Sequence, residues 1–227
     1  MDFVGIDKFS LLDYDEMISI VLFAPSCNFR CSYCHNIKNV VDSKERIPFD
    51  QILKYLEKRK GVIDAVVISG GEPTLMSDLI DKIKEIKKLG YKIKLDTNGT
   101  NPDIVKKLIE QKLIDYVAMD IKSSIDKYSL VTCVNRDFTP IIKTINLLKE
   151  NKIDYEFRTT LIKQIHDEED INKIGELLRG AKKMYLQKFV LSDGVINKNL
   201  CEVEVTKANE YKQILSKYID RVELRGY

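Results

Sequence analysis

Short apolar runs alternate with amphipathic stretches along almost the whole chain, and this alternation restricts the fold more than any other feature. Residues 18–23, 65–69, 92–96, 116–120, 155–160 and 184–189 read as strands. Between them, apolar residues recur at spacings of three and four. Leu79, Ile83 and Ile86 form one such face, and Ile104 with Leu108 a second; Ile141, Ile145 and Leu148 form a third, and Ile171, Ile174 and Leu178 a fourth. Each set marks one buried face of a helix. Asn101 before Pro102 reads as a helix cap and first-turn proline. The lysines beside these faces, Lys82, Lys84, Lys87 and Lys88, read as solvated. A last helix over about 208–218 and a short strand at 222–224 complete the pattern. Regular β–α alternation builds a parallel sheet with right-handed crossovers, which leaves a doubly wound sheet or a barrel. A closed eight-stranded barrel typically needs about 250 residues, and this chain has 227. The expected fold is therefore α/β: a partial (βα)6 TIM-type barrel with a parallel sheet, laterally open. One domain is expected over residues 1–227. Residues 1–16, with Phe9, Leu11, Leu12 and Tyr14, pack as a cap or added strand; 17–190 form the core barrel; 191–227 form a C-terminal extension.

Charge narrows the partners. The formal net charge is +2 with acids and bases interspersed, so nothing favours nucleic acid or an anionic membrane. The opening MDFVGIDKFS has no apolar signal core, and the run 18–24 is too short to span a bilayer. A cytoplasmic protein is expected, where thiols stay reduced and clustered cysteines read as metal-binding or catalytic. Cys27, Cys31 and Cys34 form such a cluster within CNFRCSYCH. A structural zinc site takes four protein ligands, whereas a catalytic centre keeps one position open. Iron–sulfur cubes are held by cysteine thiolates, and with three of them one iron stays free. Zinc with His35 as fourth ligand, or simple packing, are the competing readings; His35 otherwise reads as a hydrogen-bonding neighbour of the ligands. Cys133 and Cys201 are isolated and read as ordinary packed residues.

Unusual polar residues gather at the ends of the expected strands, where barrels place their chemistry. The first strand runs into the cysteines, the second ends in SGGEP and the third in DTNG; the fourth carries Asp120 and Lys122, the fifth Arg158, the sixth Gln187 and Lys188. Each has a plain alternative. Gly70-Gly71 serves a tight turn as well as a backbone that a ligand approaches, with Glu72 aimed at a cation. Asp96 and Asn98 are good turn formers. Asp120 and Lys122 share a strand face and suit a surface ion pair as well as a pocket for a zwitterion. Arg158 decorates an exposed strand or, facing inward, takes a carboxylate or ribose. Their joint placement at one end of the sheet favours a site.

The Cys-x3-Cys-x2-Cys run with Tyr33, followed by GGEP, resembles the radical S-adenosylmethionine (SAM) enzymes. KLDTNG, YVAMDIK and YEFRTT narrow the resemblance to glycyl-radical-enzyme activases, most closely those of anaerobic ribonucleoside-triphosphate reductase. The resemblance covers about residues 5–189. It implies a 4Fe–4S cluster on Cys27, Cys31 and Cys34 as the catalytic and metal-holding residues, with SAM on the open iron. By motif, Gly70, Gly71 and Glu72 would hold the methionine amino end. Asp96, Thr97, Asp120 and Lys122 would line the methionine and ribose, Arg158 the ribose or carboxylate side, and the Tyr33 backbone the adenine. A monovalent cation shared by Asp96 and Asp120 is implied by related activases. The implied reaction is reductive cleavage of SAM, whose 5′-deoxyadenosyl radical takes hydrogen from a glycine of a partner enzyme. An electron donor such as flavodoxin or ferredoxin completes the set. The alternative is radical SAM chemistry on another glycyl radical enzyme, a peptide or a small molecule. LSDGVINKNL after Phe189, and Cys133 where related sequences carry glycine, depart from the family pattern and bear on the partner.

Overall fold

The structure, a computed structural model, describes residues 1–36 and 45–227. One eight-stranded sheet runs in chain order from β1 to β8. Its strands are β1 (Gly5–Ser10), β2 (Ser19–Ala24), β3 (Ala65–Gly70), β4 (Lys92–Thr97), β5 (Tyr116–Asp120), β6 (Asp154–Leu161), β7 (Lys183–Lys188) and β8 (Arg221–Arg225). Helices α1 (Phe49–Lys58), α2 (Leu79–Lys88), α3 (Pro102–Glu110), α4 (Tyr128–Thr132), α5 (Thr139–Lys149), α6 (Glu168–Leu177) and α7 (Val205–Leu215) lie in the crossovers. β2 to β8 pair in parallel, and β1 pairs antiparallel with β2. β1 and β8 do not pair with one another, so the sheet stays open along one side. The expected open α/β barrel is observed; the terminal strand read at 222–224 is a further parallel strand of the same sheet.

Burial follows from two-sided packing. Ile20, Leu22, Val66, Ile68, Ile93 and Leu95 pack outward against the helices in one large core, while Val21, Ala65 and Val67 form a smaller inner cluster with Tyr14. Parallel strands covered on both faces read as continuous apolar runs, which is why their sequence signal is strong. Charges also enter the lumen. Lys94 and Glu156 are 2% and 1% exposed and 3.6 Å apart, and Tyr116 donates its hydroxyl to Glu156 at 3.0 Å.

The segment before β2 is both added strand and plug. Tyr14 packs on Tyr116 with ring centroids 5.6 Å apart, and Lys94 Nζ donates to the Asp13 carbonyl at 2.6 Å. Phe9, Leu11 and Leu12, expected to pack, are instead 59%, 61% and 84% exposed, because β1 is an edge strand beside the open gap. Lys82 corrects the reading of its helix face as solvated. It is buried, with Nζ 2.5 Å from Asp78 and 5.0 Å from the centroid of the Phe49 ring. Among the described residues, no helix is long and apolar enough to cross a membrane.

Candidate active site

The site lies at the carboxyl ends of β2 to β7, around a cavity of about 280 Å³. Ser26, in the left-handed region at φ 62°, turns the chain out of β2 into the cysteine loop. Its carbonyl accepts the Glu72 N–H at 2.9 Å, joining this turn to the end of β3. The first half of the loop is pinned from several sides. Asn28 donates to Thr100 Oγ1 and accepts from Asn98 Nδ2, both at 2.8 Å. The Arg30 N–H donates to the Thr132 carbonyl at 2.9 Å. Phe29 packs against Tyr128 and Phe138, with centroids 6.4 Å apart in each case. All three sulfur-bearing residues face the cavity. Burial pushes the Cys27 thiol up, and the Cys31 thiol up to about 12, so the protein alone leaves these groups protonated and a bound cation is what would make them thiolates.

Gly70 brings β3 against β2. At φ +104° it occupies a conformation that side-chain-bearing residues rarely adopt, and a Cβ there would lie 2.6 Å from the Ala24 nitrogen. Gly70 and Gly71 thus present bare backbone to the cavity. Gly70→Ala is expected to destabilise the fold by about 1–3 kcal/mol, the scale of one strained backbone position; chemical denaturation measures it.

Glu72 corrects the expectation that its carboxylate aims at a ligand cation. The side chain is fully buried, off the cavity wall, and accepts four hydrogen bonds. They come from the Thr74 N–H and hydroxyl at 3.1 and 2.5 Å, the Thr97 hydroxyl at 2.8 Å and the Asn98 N–H at 2.6 Å. Burial raises its pKa, and these donors oppose that rise. Glu72 therefore latches the end of β3 to the end of β4. Asn101 joins this latch instead of capping α3, donating its side-chain amide to Thr74 Oγ1 at 2.8 Å.

Asp96, Asp120, Lys122 and Arg158 meet on the cavity wall. Arg158 donates through Nε to Asp120 at 2.9 Å and through a terminal nitrogen to Asp96 at 3.2 Å. Lys122 Nζ donates to the other Asp120 oxygen at 3.0 Å and lies 5.9 Å from the centroid of the Tyr33 ring. Burial pushes the Asp120 carboxyl up, but Arg158 and Lys122 outweigh it and bring the pKa down to about 2. Burial likewise opposes the Lys122 charge, and Asp120 more than restores it. Two carboxylates and two cations leave this wall neutral. The guanidinium of Arg158 bridges Asp96 and Asp120, the pair expected to share a monovalent cation. Asp96 Oδ1 is buried with no hydrogen-bond partner among the described residues and is the acceptor the wall leaves unsatisfied.

The structure brings further residues to this cavity, among them Gln187, read from the sequence as a polar residue at a strand end. Thr160 and Gln187, in register on β6 and β7, line the same cavity; two-residue alternation from Arg158 reaches Thr160. Lys188 does not join them and pairs with Glu202 at 3.1 Å. Cys133 and Cys201 are exposed rather than packed. Behind Lys122 sits His166, 2% exposed. The Ile162 N–H donates to His166 Nδ1 at 3.0 Å, which assigns the ring proton to Nε2, 3.2 Å from the Lys122 carbonyl. Asp170, also buried, accepts from Ser123 Oγ, Ser124 N and Ser124 Oγ at 2.8, 2.9 and 2.5 Å.

Burial lowers the His166 pKa below its ordinary 6.5, although Asp170 pulls the other way. A histidine held neutral in the fold contributes stability that is intact above the unfolded pKa. As pH falls below 6.5 the unfolded chain takes the proton first, and that stability is lost. Wild-type stability should drop across this range more steeply than that of His166→Gln. The difference in slope is at most about 1.4 kcal/mol per pH unit for one proton; denaturation at pH 5.5 and 7.5 decides it.

Among the described residues, no three His, Cys, Asp or Glu side chains converge as the donors of one ion would. Three thiols set around a cavity fit a polynuclear cluster better than a single zinc. His35 is turned from them toward Ser192, 2.9 Å away, and packs on Phe189. Thiols, a bare glycine cradle and one unsatisfied carboxylate oxygen fit a cluster with a SAM molecule beside it. The family model for the Radical SAM superfamily matches residues 21–184. A Methanocaldococcus jannaschii protein provisionally described as a glycyl-radical enzyme activating enzyme is 37% identical, covering 97% of this chain and 94% of its own. The pyruvate formate-lyase-activating enzyme of Listeria monocytogenes is 28% identical, over 71% of this chain and 70% of its own. A crystal structure of a domain of the pyruvate-formate lyase-activating enzyme from Bacteroides vulgatus superposes with a TM-score of 0.58 at 21% identity. It spans 72% of this chain and 99% of that one.

Proposed function

The chain belongs to the radical SAM superfamily, whose members use a 4Fe–4S cluster and SAM, and on that premise we propose that it generates a glycyl radical on a partner enzyme. One observation carries the reading: the three cysteines share a cavity with a charge-balanced wall, in a barrel whose end strands do not pair with one another. Homology to glycyl-radical enzyme activating enzymes supports the reaction class. When bound, the cluster and SAM supply reductive cleavage and a 5′-deoxyadenosyl radical able to take a hydrogen atom from glycine.

The chain's own residues bind and orient. Cys27, Cys31 and Cys34 hold the cluster, and the Gly70-Gly71 backbone lets the methionine end approach β3 without a side chain intervening. Asp96, on the cavity wall, would accept from the SAM amino or ribose groups. Lys122 and Arg158, already fixed by Asp120, offer charge without needing to reorganise, the arrangement that makes preorganised sites effective. Thr97 serves twice, facing the cavity while its hydroxyl is held by Glu72. The Tyr33 backbone would lie on the adenine side, and its ring is buried, 5.9 Å from Lys122 Nζ. The partner is proposed to be anaerobic ribonucleoside-triphosphate reductase, on the motif resemblance, with a flavodoxin or ferredoxin as electron donor.

The test is anaerobic. The protein is reconstituted with iron and sulfide, reduced, given SAM and assayed for 5′-deoxyadenosine, then mixed with candidate glycyl radical enzymes and examined by electron paramagnetic resonance. Cleavage that requires the reduced cluster, with a radical on the reductase, is the expected result. A radical on pyruvate formate-lyase alone would reassign the partner. A protein that retains only zinc and binds no SAM would overturn the reading.

A further inference from the structure

The second half of the cysteine loop, Cys31 to His35, packs into the core through Cys31 and Tyr33 but makes few hydrogen bonds of its own. Cys34 N–H donates to the Cys31 carbonyl at 3.0 Å, an internal turn. Among the described residues, its hydrogen bonds to the rest of the protein occur at two points, both on residues 189–200. The Asn197 N–H donates to the Ser32 carbonyl at 3.0 Å, and Ser192 Oγ meets His35 Nδ1 at 2.9 Å. Gly194 lies so close that a Cβ there would sit 2.2 Å from the His35 carbonyl oxygen, a backbone atom.

Residues 189–200 are themselves firmly seated. Phe189, Val195 and Leu200 are buried at 1%, 2% and 7% exposure. Val195 N–H and Lys198 Nζ both donate to the Ser192 carbonyl, at 3.1 and 2.7 Å, closing a compact turn. The Asn199 N–H donates to Asn197 Oδ1 at 3.0 Å. The segment is thus a strap, anchored at Phe189, Val195 and Leu200, laid over the loop that carries two of the three thiols. It is also the stretch whose sequence departs from the family pattern.

We infer that this strap is a brace for the cluster: Ser192, Gly194 and Asn197 are positioning residues that hold Cys31 and Cys34 in place and set how readily iron is lost. The inference rests on the cluster reading of the three cysteines. A cluster leaves when its ligands let go together, so anchoring the loop slows that loss. Partners that orient metal ligands commonly matter about 10–100-fold in metal affinity.

The test compares reconstituted wild type with Gly194→Ala, Ser192→Ala and Ser192→Thr. An iron chelator is added under anaerobic conditions, and the decay of cluster absorbance is timed. Gly194→Ala, which forces strap and loop apart, is expected to lose its cluster about tenfold faster. Ser192→Ala is expected to change in the same direction by less, and Ser192→Thr to restore the wild-type rate by returning the hydroxyl. The resonance spectrum of the reduced cluster should shift in Gly194→Ala, while the apo proteins unfold at similar temperatures. If Gly194→Ala fails to fold, the two serine variants decide. Equal decay rates across the set overturn the brace while leaving the cluster reading intact. A wild type that takes up no cluster overturns both.

Discussion

Alanine at Cys27, Cys31 or Cys34, one at a time, is expected to reduce cluster uptake and SAM cleavage to background, whereas alanine at Cys133 or Cys201 should leave both intact. The asymmetry follows from position. The first three side chains line one cavity, and the other two are exposed elsewhere on the chain. Removing one of three thiolates leaves two, too few to fix a cube that already lacks a fourth protein ligand. Iron and sulfide content, visible absorbance and 5′-deoxyadenosine yield are read together on the same preparations. Folding is checked separately, because Cys31 is buried and its replacement leaves a small void. If a Cys34→Ala protein folded, kept a full cluster and cleaved SAM, the ligand assignment would fall.

Much of this arrangement is written locally, and the rest depends on distant partners. The strand read at 116–120 is β5 to the residue, because a strand buried on both faces is apolar without interruption. Polar residues at the ends of such strands stand out for the same reason, and Asp96, Asp120, Lys122 and Arg158 were visible through it. What they do to each other was not visible. Arg158 reaches Asp120 and Asp96 across 38 and 62 residues of chain, pairings fixed by the order of β4, β5 and β6 in the sheet rather than by spacing. Glu72 follows two cavity-lining glycines, and sequence alone cannot say that the next side chain turns to the other side. Lys82 was read as solvated because lysine usually is. Its burial depends on the Phe49 ring supplied by another helix. His166 carried no motif at all; its contact with Ile162 is local, but its contact with Lys122, 44 residues away in sequence, exists only once β5 and β6 lie side by side.

Arg158→Met is expected to destabilise the fold by about 3–5 kcal/mol at pH 7, the range for removing one partner of a buried ion pair. Its guanidinium is 12% exposed and is the bridge between two carboxylates. Without it, Asp96 retains the Ser69 hydroxyl at 3.0 Å, and Asp120 retains only Lys122 among its charged hydrogen-bond partners. The pH dependence identifies the cause. In the wild type, Asp120 lies near pKa 2, below its ordinary 3.8, so its stabilising contribution is complete above pH 3.8 and is lost as pH falls toward 2. In the variant, the opposing effect of burial is less well countered and the Asp120 pKa rises. The stability gap between the two proteins should therefore be widest at neutral pH and narrow in acid, where protonation removes the stranded charge. Arg158→Lys should recover only part of the loss, since an ammonium cannot present the two separated donors that reach both carboxylates. Adding Asp120→Asn to Arg158→Met should return about 0.5–3 kcal/mol, the usual coupling between contacting residues. If Arg158→Met were as stable as wild type at pH 7 and bound SAM equally well, the charge-balanced wall would not be what organises this cavity.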